Sequence, residues 1–451
     1  MNNYIKSLIV VASLAVVAGC GKILDLQPSQ SLSDVDAINS DRNVKNVLIG
    51  AYALFAQPGI YRGCLLRDAE LLGGNGELQW AGTYIDPRQI YNKTMLATNS
   101  EAYYQWFNSY QVINSCNNVL SALSVVADAD RDRVEGEARF LRGFMYFDLV
   151  RFFAKQYNFA GSNDQMGVPL VLTPTRIIDT SVFVGRKTVE EVYTQILMDL
   201  TTAAAKLPED NGVYASRGAA NALLSRVYLQ MGQYADARDA ADAVISSGMY
   251  TLLTNYADVF NQDDNTAEDI FVTQITTQDA LGSSMTEFFS VPDFGGRDGD
   301  IHILDAHLNL YPAGDLRKDL FFSYNGFNFC GKWNNLYGGV NLIRLAEMYL
   351  TRAECNARLG TEVGATPTDD YNLIHTRAGL TPLAAGTATL DTILYERRLE
   401  LAFEGFMIHD IRRLHESFDI YSWDDDKLVM PIPARELDAN PALKSEQNPG
   451  Y

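Results

Sequence analysis

The chain has 451 residues, of which 36 are Lys or Arg and 56 are Asp or Glu, for a formal charge of −20; 47% are hydrophobic and 11% aromatic. That is enough apolar material for a sizeable core in one large domain or two to three ordinary ones. The acidic excess excludes nucleic acid and anionic lipid as electrostatic partners, because both need clustered Lys and Arg.

At the N-terminus, Lys6 precedes an apolar run from Leu8 to Ala18, too short to span a bilayer and ending in small residues. Residues 1–19 therefore read as a secretory signal peptide. Val17-Ala18-Gly19-Cys20 resembles a bacterial lipobox, which makes Cys20 the expected site of acylation and the first residue of the mature chain. Several acyl chains anchor stably where one does not. Gly21 and Lys22 follow, so the aspartate that signals inner-membrane retention is missing. The other cysteines, Cys64, Cys116, Cys330 and Cys355, are too scattered for a zinc or redox motif, and Cys116 and Cys355 sit in helical patterns as small apolar residues.

Residues 20–40 form an expected tether, and 41–451 a single domain. A helix is predicted over 41–55, then a glycine-rich irregular stretch over 56–100, of a length that is usually functional. Helices follow over 101–123 and 131–153, then an extended Gly167–Val171, and a helix over 189–207 stopped by Pro208. Residues 218–231 and 234–247, joined at Gly232, carry the small and large residues of a tetratricopeptide-type hairpin, and Asn341–Gly360 looks like a second copy. Between them, residues 250–340 are rich in Asp, Asn, Gly and aromatics, and read as short strands and loops. The C-terminal 429–451 is extended.

The segment 393–414 is read as a helix with Leu399, Ala402, Phe403 and Phe406 on one face. Glu396, Glu400 and Glu404 make a second stripe at i, i+4, i+8, where like charges repel, so cations must lie beside them. Arg397 and Arg398 are local candidates; Arg139 and Arg142, from the 131–153 helix, are the candidates from a neighbour. A charge-paired packing seam is expected here rather than a catalytic pair.

Binding a glycan takes flat aromatic faces for the apolar side of sugar rings, with carboxylates and amides for the hydroxyls. Trp80 and Tyr84 qualify, beside Asn75, Glu77, Gln79 and Asp86; so do Phe288, Phe289, Phe294 and Trp333, accompanied by Asp293, Arg297 and Asn334. For Trp80 and Trp333 a place in the core is the competing reading. Catalytic residues are not expected. There is no Gly-x-Ser-x-Gly elbow or phosphate loop, His302 and His307 lack metalloprotease spacing, and no spacing singles out a carboxylate pair. No cofactor is expected; Asp298-Gly299-Asp300 hints at a structural calcium but lacks the spacing of a calcium loop and reads as a turn.

Several stretches together resemble the SusD/RagB family of surface lipoproteins: the lipobox, LDLQPSQ at 24–30, GEARFLRGFMYFDLVRFF at 136–153, GVPLVL, the alanine-rich hairpin near 227–232, IRLAEMYLTRAE at 343–354, ERRLELAFEG at 396–405 and the closing QNPGY. Met407-Ile408-His409 departs from the family, which usually has a basic or polar residue there, and bears on one inter-helix contact. The resemblance implies a mainly α fold, a tetratricopeptide-like helix-pair scaffold with a loop-rich, small-strand face. It implies a non-enzymatic lipoprotein on the extracellular side of the outer membrane that captures oligosaccharides, or in some members peptides, for a SusC-like TonB-dependent transporter. Ligand sites vary within the family, so no binding residue is carried across.

Overall fold

The computed structural model describes residues 38–74, 76–176, 180–279 and 281–451. Cys20, most of the tether and Asn75 lie outside the described residues. The helices are α1 Asp41–Phe55, α2 Cys64–Gly73, α3 Ile85–Tyr91, α4 Ser100–Ser121, α5 Asp128–Phe153, α6 Val189–Lys206, α7 Arg217–Met231, α8 Tyr234–Ser246, α9 Ser284–Phe289, α10 Asp305–Leu308, α11 Leu345–Leu359, α12 Pro367–Arg377, α13 Leu390–Glu400, α14 Met407–Leu414 and α15 Ala434–Ala439. The strands are β1 Leu78–Trp80, β2 Asp269–Thr273, β3 Ile301–Ile303, β4 Phe321–Tyr324, β5 Phe327–Cys330 and β6 Val340–Arg344. Among the described residues no helix is long and apolar enough to cross a membrane.

Helices α1, α4, α5, α6, α7 and α8 pack each on the next, and α11 continues the stack against α8. The mainly α, helix-pair scaffold is therefore as expected, with 250–340 leaving after α8 and returning at α11. Gly232 adopts φ 71° between α7 and α8, a left-handed cap that costs a glycine little. Thr188 and Glu191 close a reciprocal capping box at the start of α6. The core runs through α5, where Phe140, Phe144 and Phe147 are all fully buried; Phe140 lies 4.9 Å from Phe271 of β2 and so ties the insertion to the scaffold.

Three boundaries differ from the sequence reading. The stretch 56–100 contains α2, β1 and α3. Asn341–Gly360 begins not as helix but as β6, paired with β2, because Val340, Leu342 and Ile343 are buried in the two-stranded sheet they form with β2. The 393–414 helix breaks after Glu400, and Leu399, Ala402, Phe403 and Phe406 do not share one helical face. Phe403 has φ 61° and Gly405 φ 86°. Their corner is held by the Glu70 carboxylate, whose Oε1 accepts from the amides of Gly405 at 2.7 Å and Phe406 at 2.9 Å. Gly73 permits the close approach of α2 to α14, since a Cβ there would stand 2.6 Å from the Ile408 backbone nitrogen.

The glutamate stripe has its cations, but not from α5. Arg139 and Arg142 face α6 and bond Asp199, at 3.0 Å and 2.7 Å. Arg397 bonds Asp410 at 3.0 Å. The cations beside the stripe come from the returning insertion and from α12. Arg317 meets Glu396 at 2.6 Å; Arg344 meets Glu400 at 2.6 Å and Glu404 at 2.7 Å; Lys332 meets Glu404 at 2.6 Å; Arg377 bonds Glu400 and also Glu268, which Arg344 shares. Lys332, Arg317 and Arg344 are all buried, so the whole seam is desolvated.

Two buried histidines stay neutral. His307 stands 2.7 Å from Glu77 through Nδ1, yet burial, helped by the charge of Lys332, brings it down to about 3. The contact is thus an N–H hydrogen bond from a neutral imidazole. His409 occupies the position that departs from the family, and its inter-helix contact is an edge-on packing against Phe152 of α5 at 5.0 Å. Burial, then Arg151 and Arg412, hold it well below its usual 6.5. Folded pKa values below the unfolded one mean that unfolding takes up protons: the contribution is complete above pH 6.5 and is lost as pH falls toward the folded values, at up to about 1.4 kcal/mol per pH unit per histidine. His409→Phe keeps a ring against Phe152, and urea midpoints compared at pH 7 and pH 5 are expected to fall less steeply with acid than in the wild type.

Candidate functional site

The four-stranded antiparallel sheet has the order β1-β3-β5-β4 and is built from the 56–100 stretch and the 250–340 insertion. Its outer hairpin turns at Asn325-Gly326, with φ of 50° and 85°, both positive as a two-residue hairpin requires. The register sets Phe322 opposite Phe329 and Tyr324 opposite Phe327. Cross-strand partners share a face, so these four rings lie together. His302 of β3 joins them, stacked on Phe327 at 4.0 Å with 19° between the planes. Phe294 adds an edge contact to Phe322 at 5.6 Å. Phe327 is 50% exposed and Phe294 43%, large aromatic area left open to solvent.

Polar groups border this face. Gln79 pairs in register with His302 and is exposed, as are Asp293 and Asp298. Arg297 lies with its guanidinium 3.8 Å above the Tyr84 ring, bonds the Tyr84 hydroxyl, and meets Asp300 at 2.9 Å. Burial raises the Asp300 carboxyl above its usual range, against the pull of Arg297. Tyr84 also rests edge-on against Phe288, whose ring lies 4.4 Å from the fully buried Arg67 guanidinium. Two cations and two rings thus fix one another, and the exposed end of the arrangement is Tyr84 with Arg297.

Of the residues proposed from sequence as ligand contacts, Gln79 and Phe294 belong to this surface, Asp293 and Tyr84 are exposed, and Arg297 is half-buried over the Tyr84 ring. Trp80, Phe289 and Trp333 are packed inside. Trp80 is 6% exposed and sits against Phe288, because β1 alternates its side chains and turns Gln79 outward instead. Trp333 is 4% exposed and donates from Nε1 to the Phe403 carbonyl at 3.0 Å. Phe289 is fully buried beside Phe403. None of the three offers a free ring face. Phe322, Phe327 and His302 were not singled out by the sequence, although aromatic runs on both sides of Asn-Gly are a hairpin signal. At Asp298-Gly299-Asp300, Asp300 is engaged by Arg297, and among the described residues no group of three or more His, Cys, Asp or Glu converges as a metal site.

Comparison with known proteins fits this architecture. A family profile described as starch-binding associating with outer membrane matches residues 22–229, and the SusD family profile matches residues 327–427. Phe294 and Arg297 fall between the two matches. SusD-like protein P38 of Formosa agariphila is 23% identical over all of this chain and 99% of its own length. A SusD superfamily protein from Bacteroides thetaiotaomicron superposes with a TM-score of 0.80 at 26% identity, covering 91% of this chain and 100% of that one. The surface glycan-binding protein A of Bacteroides fluxus shares the fold, at a TM-score of 0.76 and 22% identity, over 91% of this chain and 100% of its own. With both profiles, full-length relatives and the helix-pair architecture in agreement, the chain belongs to the SusD-like family of binding proteins, which are not enzymes.

Proposed function

We propose that the protein captures oligosaccharides at the cell surface on the aromatic face of the β1-β3-β5-β4 sheet and passes them to a SusC-like TonB-dependent transporter. The acylated Cys20 holds it to the extracellular side of the outer membrane. The observation that carries the saccharide reading is the exposed pair Phe327 and Phe294, bordered by Tyr84, Arg297, Gln79 and the carboxylates of Asp293 and Asp298. Rings cover the apolar side of a sugar while amide, acid and guanidinium meet its hydroxyls. The glycan-binding name of the Bacteroides fluxus relative points the same way.

Calorimetric titration of the mature chain with an oligosaccharide panel, starch fragments included, tests this. Tyr84→Ala and Phe327→Ala are each expected to weaken the saccharide that binds by about tenfold or more. Affinity unchanged in both variants would remove this face from the site. A chain that takes up an oligopeptide mixture but no saccharide would move the ligand class to peptide, with the edge strand β4 as the place for backbone pairing. Co-purification of a TonB-dependent barrel from native membranes tests the partner.

A further inference from the structure

Between α5, α7, α14 and the 401–406 corner lies a small cavity of about 20 Å³. Tyr61, Asp148, Arg151, Arg226, Glu404 and His409 give it a polar wall, and every one of them is buried. A single water needs about 10–15 Å³ and about two to four polar partners. The cavity therefore has room for one water and for nothing the size of a sugar or an organic ion.

Most of the wall is already paired. Asp148 takes the Tyr61 hydroxyl and the Arg151 guanidinium. Glu404 takes Arg344 and Lys332. Arg226 donates to Glu347 from Nε at 2.8 Å and from Nη2 at 2.6 Å, and Nη2 also donates to the Leu342 carbonyl. Two side chains have something left over. Arg226 Nη1 makes no bond to protein, and neither ring nitrogen of His409 makes one. None of these nitrogens is among the unpaired interior atoms sealed from water, as Trp80 Nε1 is. They belong to buried side chains yet keep a face to open space, and the cavity is the space that both side chains line.

We propose that this cavity is the site of one structural water, which accepts from Arg226 Nη1 and donates to the unprotonated nitrogen of His409, joining α7 to α14. A buried donor and a buried acceptor are each costly to leave unmet, and a bridging water meets both at once. Burial, then Arg151, Arg412 and Arg226, keep the imidazole neutral, so it has one acceptor nitrogen to offer. A halide is the competing occupant of a site edged by arginines. The charged groups of the wall are Arg151 and Arg226 against Asp148 and Glu404, which leaves no net positive charge to select an anion. Because the side chains around it are buried, this water exchanges with solvent only when the corner or α14 shifts, and its residence time reports that opening.

High-resolution crystallography of the mature chain, with a bromide-soaked crystal beside it, tests the assignment. One ordered peak within hydrogen-bond distance of both Arg226 Nη1 and a His409 nitrogen is expected, with no anomalous bromide signal there. In solution, oxygen-17 relaxation dispersion is expected to count about one long-lived water fewer in His409→Phe than in the wild type. Tyr84→Ala is expected to leave that count unchanged. The wild-type crystal decides the matter even where the His409 variant does not fold. No peak in the cavity, a bromide signal in it, or a count unchanged in His409→Phe would overturn the proposal.

Discussion

Replacing Arg344 by alanine is expected to lower the unfolding free energy by about 3–5 kcal/mol, measured by urea titration at pH 7. The side chain is 2% exposed and its guanidinium reaches Glu268, Glu400 and Glu404, all buried. Removing one cation from a desolvated cluster leaves acids that neither water nor a partner compensates, which costs far more than an exposed pair is worth. Arg344→Lys is expected to recover only part of the loss, because a single ammonium cannot fork between two carboxylates. The acid limb should move too. Burial alone would raise Glu400, but Arg377, Arg344 and Arg317 outweigh it and bring it down to about 2 from 4.5. A depressed acid contributes fully above pH 4.5 and loses that contribution as pH falls toward 2. Without Arg344 the Glu400 carboxyl rises, and acid unfolding is expected to begin at higher pH.

Trp333→Ala is expected to cost a similar amount, about 3–5 kcal/mol, in the same titration. The substitution removes a large side chain that is 4% exposed, and with it the indole bond to the Phe403 carbonyl, leaving a cavity beside Phe260. The comparison with Phe327→Ala is informative. Phe327 is half exposed, so its loss should weaken ligand binding while leaving the urea midpoint nearly unchanged. A tryptophan acting as a ligand platform would show the reverse of the behaviour expected of Trp333.

The scaffold was legible in the sequence because its helices are long, periodic and bounded by recognisable signals such as Pro208 and Gly232. The corner after Glu400 was not. ERRLELAFEG keeps helical spacing through Phe406, and the amides that end the helix are held by Glu70, far away in the chain. The pairing of Arg139 and Arg142 was missed for a related reason: a charge stripe announces that it needs cations but not which element brings them. At the candidate site, aromatic type was readable and burial was not. Trp80 and Gln79 are neighbours in one strand, and only the side-chain alternation of β1, fixed by its pairing with β3, decides that the glutamine faces out.

The Glu70 bond to the Gly405 amide joins positions 335 residues apart. Such a closure cannot form until nearly the whole polypeptide is available, and its loop entropy must be met before its contacts give anything back. Helices α4 to α8 can assemble from nearby segments, whereas the corner, bonded to Lys332, Trp333 and Arg344, is expected to lock last. Truncations that stop short of residue 405 should therefore yield a helical but unclasped chain, and loop exchanges between relatives will succeed only when both ends of this late clasp travel together.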